Sequence, residues 1–208
     1  MKNTFSKGFT LVELLVVITI LAALAAAVVV VLNPMELLAQ ARDSQRMSDL
    51  DTVQDALLIL LAQGLVPAPS LCINGVDVGG GCHPGGICMV APGPTSGPFS
   101  TQDCNLNVNP SRAVDGTGWV DVSLAEVRVG GSLITALPQD PINNAQFFYA
   151  YKASTAGTFK LAGRLESERY RLMMRDDGGI RNECGSAPGW PGWNGPTCFY
   201  EIGSNLAL

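Results

Sequence analysis

Residues 14 to 32 form one apolar run, Leu-Leu-Val-Val-Ile-Thr-Ile-Leu-Ala-Ala-Leu-Ala-Ala-Ala-Val-Val-Val-Val-Leu, interrupted only by Thr19. As a helix rising about 1.5 Å per residue, this stretch is about 28 Å long. That nearly matches a hydrocarbon core of about 30 Å. Such a helix has no polar face to offer water, so it needs lipid or other helices around it. Lys2 and Lys7 precede it, and a single carboxylate, Glu13, stands at its leading edge.

Three readings of this start compete. A cleaved secretory signal has the same charge order, but its apolar region is usually only about 7–15 residues long. Ala25-Ala26-Ala27 offers small residues for cleavage, yet Val28 to Leu32 continue the apolar run behind them. A plain signal anchor keeps Lys2 and Lys7 in the cytoplasm by the positive-inside rule. It leaves Glu13 unexplained, because a carboxylate within a membrane helix is costly and calls for a partner. The third reading supplies that partner. A cut after Gly8 would give Phe9 a free amine, four residues before Glu13 and on the same helical face. Paired charges in hydrocarbon are far better off than lone ones. Pairing between neighbouring chains would also fix the axial register of packed helices.

The residues that carry this third reading, Lys7-Gly8-Phe9-Thr10-Leu11-Val12-Glu13, resemble the class III signal of type IV pilins and type II secretion pseudopilins. The resemblance covers the leader and the first helix. It implies a membrane peptidase that cuts after Gly8, methylation of the new N-terminus at Phe9, and a role for Glu13 in aligning subunits during filament assembly. It also implies an inner-membrane precursor, assembly machinery in that membrane, and a later place at the cell surface.

The rest of the chain sets bounds on this expectation. It has 208 residues and a formal charge of −5. An acidic balance argues against phosphate-driven binding of nucleic acid and against docking on anionic lipid. Arg164, Arg169, Arg171 and Arg175 lie close in sequence, and solvated arginines paired with Glu166 and Glu168 are the plainer reading of them. All six cysteines, Cys72, Cys82, Cys88, Cys104, Cys184 and Cys198, follow the helical region. An even count confined to an exported part reads as disulfides. Cys184–Cys198 is the favoured pair, since the other four are remote from both. No C-x-x-C occurs, and the sole histidine, His83, lacks zinc-type spacing. No nucleophile–base set stands out, so neither catalytic residues nor a metal centre is expected, and the chain reads as a non-enzyme.

Three regions follow: a leader over 1–8, a long helix over 9–64 with its membrane or filament-core part at 9–32, and an extracytoplasmic domain over 65–208. Asn33-Pro34 predicts a kink or a second helix start. Leu50, Val53, Leu57, Leu60 and Leu61 form the stripe on which a domain packs. Residues 65–118 are Gly- and Pro-rich and read as loops stapled by cysteines. Residues 119–125 alternate like a strand, 147–152 and 158–162 read as a hairpin, 165–175 as a strand or short helix, and 198–202 as a last strand. Leu137-Pro138-Gln139-Asp140-Pro141 before the aromatic strand is similar to the sheet region of major pseudopilins and some small pilins. Major pseudopilins bind calcium after that sheet, which makes Asp176 and Asp177 weak calcium candidates; two acids ahead of glycines are also an ordinary turn.

The expected fold is thus α+β: a long N-terminal helix on a small antiparallel sheet with disulfide-rich loops. The expected function is a pilus or pilus-like filament subunit. A type II secretion pseudopilin is the nearest alternative, and a membrane-anchored extracytoplasmic binding domain is the alternative of another class.

Overall fold

The structure, a computed structural model, describes residues 8–64, 86–89, 98–99, 108–125, 131–154, 157–180 and 198–208, without the side chains of 29–32. Its elements run α1 (Leu11–Leu32), α2 (Pro34–Ala62), β1 (Ile87–Cys88), β2 (Ala150–Ala153), β3 (Phe159–Gly163), α3 (Met173–Asp176) and β4 (Tyr200–Gly203). The chain divides into two compact units, Met1–Ala39 and Gln40–Leu208.

In the first unit, α1 begins at the N-cap Thr10 and stays exposed along its described length. Its Leu11–Val28 window has a mean hydropathy of 2.8 and none of it is buried, so it is long and apolar enough to cross a membrane. Thr19 is tolerated because its hydroxyl donates to the Val16 carbonyl at 2.8 Å. Asn33 ends α1 in the left-handed region, at φ 39°. Its carbonyl then accepts from Glu36 N and Leu37 N, so the same residue opens α2. Pro34 fits there, since the first turn of a helix needs no donor. The long helical stretch is therefore two helices sharing one residue as end and start.

In the second unit, a four-stranded antiparallel sheet has the order β1-β2-β3-β4. Tyr151 lies opposite Leu161, and Leu161 opposite Ile202. The α2 stripe of Leu50, Val53, Leu57 and Leu60 buries against Tyr149, Tyr151, Phe159, Leu161 and Trp119. The alternate strand residues form a second cluster, Phe148, Ala150, Ala162, Phe199, Phe99 and Cys88. Both faces of the sheet are thus covered. The β2–β3 hairpin closes through Ser154 N donating to the Thr158 carbonyl at 2.8 Å.

Two expectations change and one open alternative is decided. Residues 119–125 are not a strand; only the isolated bridge Asp115–Ser123 forms there. Trp119, Val120, Asp121, Val122 and Leu124 are all buried. Their alternation does not mark an inner and an outer face, and their backbone bonds go to loops, as in Trp119 N to Ser111 O and Leu124 N to Val114 O. Ile87–Cys88, within the stretch read as loops, pairs with β2 as an edge strand. Residues 165–175 take the helical option, as turns leading into α3.

Candidate functional site

At the N-terminus, local chemistry builds the site. Thr10 has extended backbone, φ −82° and ψ 151°. Its hydroxyl oxygen accepts from Glu13 N at 3.3 Å, while Glu13 Oε2 accepts from Thr10 N at 2.9 Å and from the Thr10 hydroxyl at 2.8 Å. This reciprocal capping box satisfies donors that the first helical turn leaves open. Glu13 is therefore held by Thr10 of its own chain, and its Oε1 has no hydrogen bond among the described residues. Gly8 has open space where a side chain would begin, and Phe9 is 77 % exposed. The residue pattern alone points Glu13 toward an amine; its partner here is Thr10, for which the T-x-x-E spacing is the readable signal.

The second unit holds a buried ionic cluster on α2. Arg46, wholly buried, donates through Nε to Asp140 Oδ2 at 2.7 Å and through Nη2 to Asp140 Oδ1 at 3.2 Å. Its Nη1 reaches Asp43 at 2.8 Å and Glu166 at 2.7 Å. Arg42 grips Glu166 with two bonds, at 2.6 and 2.9 Å. Asp43 in turn accepts from the backbone amides of Glu166 and Ser167. Burial works against a charged Arg46, but its hydrogen bonds to Asp140, Glu166 and Asp43 win, and its proton is held more tightly than usual. Burial likewise pushes the Glu166 carboxyl up, and Arg42 and Arg46 more than offset it, leaving it below its ordinary value. The guanidinium of Arg46 also lies 4.7 Å from the centroid of the Phe147 ring. Asp140 comes from the Leu-Pro-Gln-Asp-Pro turn, so this turn is an anchoring element for α2.

Other sequence candidates fall elsewhere. Arg164 is not a surface arginine. It is buried, donates to the Cys198 carbonyl at 3.2 Å and stacks 4.5 Å from the Phe199 ring. Burial pushes it down to about 10. Glu166 serves Arg42 and Arg46 rather than the later arginines, and Arg175 pairs with Asp176 on the exposed surface. Asp177 uses one oxygen for Gly179 N and the other for Glu201 N, at 2.8 and 2.7 Å. It acts as a turn and strand anchor, and among the described residues no group of three or more His, Cys, Asp or Glu is arranged to hold a metal. Cys88 and Cys198 are both disulfide-bonded, and no free cysteine occurs among the described residues. Cys72, Cys82, Cys104 and Cys184 lie outside the described residues, as does His83, so the Cys184–Cys198 pairing lies outside them too.

Comparison with known proteins finds one feature. The prokaryotic N-terminal methylation motif matches residues 4–29. No curated protein and no solved structure matches the chain. The motif takes in Gly8, Phe9, Thr10, Glu13 and most of α1.

Proposed function

The methylation motif supports a type IV pilin-like or pseudopilin subunit, and from it we propose that this chain is a structural subunit of a type IV pilus or pilus-like filament. In this reading the precursor sits in the cytoplasmic membrane with Lys2 and Lys7 inside. A prepilin peptidase cuts after Gly8, and the new amine of Phe9 is methylated. The apolar helices then leave lipid and bundle, exchanging lipid contact for helix contact. Glu13 pairs with the N-terminus of a subunit, which sets the register. The remainder of the chain becomes the displayed part of an extracellular filament. The role is structural rather than enzymatic and requires no cofactor.

One observation carries the proposal: the motif at residues 4–29 coincides with an apolar helix that is exposed along its described length and whose only carboxylate is Glu13. The capping box fits the precursor stage. It gives Glu13 two donors from its own chain, which lowers the cost of a carboxylate at the membrane edge before any neighbour is present.

A second reading, a secretion pseudopilin with a short periplasmic filament, is favoured by the Asp140 turn. Its sequence is similar to that of major pseudopilins, and here Asp140 anchors α2 through Arg46. Long filaments on the cell surface separate the two readings. Their absence, together with failed protein export on deletion, would favour the pseudopilin.

The test is the N-terminal mass of the protein from membranes or sheared surface material. A chain beginning at Phe9 with one added methyl is expected. A chain beginning at Met1 overturns the proposal. Gly8→Leu should leave the leader attached.

A further inference from the structure

The outer face of α2 is unusual for a surface helix. Asp51 and Asp55 are both exposed, one turn apart, and neither has an ion-pair or hydrogen-bond partner among the described residues. Like charges at this spacing repel within a helix. Partial desolvation first, and Asp55 second, push the Asp51 carboxyl above its ordinary value. Leu58 and Ile59 continue the same face at 41 % exposure each, while the opposite face, with Leu50, Val53, Leu57 and Leu60, is in the core.

A groove of about 830 Å³ runs beside α2, between Gln45, Asp49 and Thr52 on the helix and the 132–143 loop. Arg112 stands on its wall. The Arg112 Nε donates to the Leu137 carbonyl at 2.6 Å, and its own carbonyl accepts from Leu137 N at 2.9 Å, so the head group is fixed at the edge. Among the described residues no carboxylate forms an ion pair with it. Asp49 lies within its field but is bonded to the Tyr149 hydroxyl at 2.8 Å. Ile142, Leu133 and Ile134 supply apolar surface along the same groove.

Resting on the filament reading, we infer that the outer face of α2 docks into this groove on a second copy of the chain, with Asp51 and Asp55 meeting Arg112. The two surfaces are complementary twice over. One carries an acid pair with no ion-pair partner among the described residues, beside exposed Leu58 and Ile59; the other carries a guanidinium with no ion pair among the described residues, beside Ile142. A chain that carries both halves of a contact on different surfaces joins copies head to tail. Such contacts propagate into helical filaments unless the rotation closes a ring.

Charge reversal tests this in the full chain. Arg112→Glu alone, and Asp51→Arg with Asp55→Arg, should each lower the yield of sheared filaments about five-fold or more, because attraction of roughly the exposed-pair size is replaced by repulsion. Membrane levels and N-terminal processing should not change. The three reversals together should restore yield. Wild-type yield from either half, or loss without restoration, overturns the inference and leaves the filament reading standing. Self-association of the detergent-solubilised full chain should show the same loss and rescue. Association that follows this pattern in a chain still beginning at Met1 would keep the contact and sink the filament reading. Weakening by Arg112→Glu with no effect of the α2 reversals would mean that Arg112 meets some other partner, and the inference fails.

Discussion

Arg46 shows how one residue decides whether a domain holds its helix. It is wholly buried among three carboxylates, from Asp43, Asp140 and Glu166. Removing it strands these acids in a low-dielectric site, so Arg46→Ala should destabilise the domain by about 3–5 kcal/mol, read by chemical denaturation of the detergent-solubilised chain. Glu166 makes the same cluster acid-sensitive. Its folded-state pKa lies below the ordinary value of 4.5. A depressed carboxylate stabilises the fold fully above its unfolded pKa, and that contribution is lost as pH falls through the folded one. Asp49 works with the opposite sign, since burial raises it and ionisation there costs the fold. Glu166→Gln should therefore lower stability near neutrality and flatten the loss of stability between about pH 5 and pH 3, measured by denaturation across that range. Little of this cluster was legible beforehand. The Arg46–Asp43 spacing was visible on the helix, but Asp140 and Glu166 arrive from turns more than ninety residues away, and periodicity has no term for that.

Elements were legible where one rule dominated. The apolar run fixed α1, the three- and four-residue stripe fixed the buried face of α2, and aromatic alternation around Gly157 fixed the β2–β3 hairpin. Residues 119–125 misled because burial on all sides by neighbouring loops mimics alternation in a short window. Ile87–Cys88 was missed because a two-residue edge strand has too little sequence to show a period. The capping box at α1 was legible in the Thr10–Glu13 spacing, while the isolated charge of Glu13 in an apolar run points equally to a partner on another chain. At this scale β4 depends on Gly203, at φ 146°, where a Cβ would press into the Phe159 carbonyl oxygen and lie 2.9 Å from Lys160 Cα. Gly203→Ala should push β4 off β3 and cost at least about 1 kcal/mol, again read by denaturation.

For the molecule as a whole, the charged start and the buried clamp do separate jobs in the two compact units, Met1–Ala39 and Gln40–Leu208. Glu13→Ala should leave membrane insertion and the folded domain intact, because among the described residues its side chain hydrogen-bonds only to Thr10. In the proposed reading it should abolish or sharply reduce filaments; wild-type yield in a shear assay would remove the alignment role. The clamp has a further consequence when the chain is treated as something that can be pulled. Tension entering the second unit along α2 from Gln40 reaches Arg42, Asp43 and Arg46 within two turns. There the helix is bonded to Glu166, Ser167 and Asp140 at several points side by side. Bonds loaded together must break together, whereas the sheet ladder behind them would otherwise open one rung at a time. Under force, the domain would hold until the bonds of Arg42, Asp43 and Arg46 gave way as a group, and their joint strength would set the pull the chain can transmit.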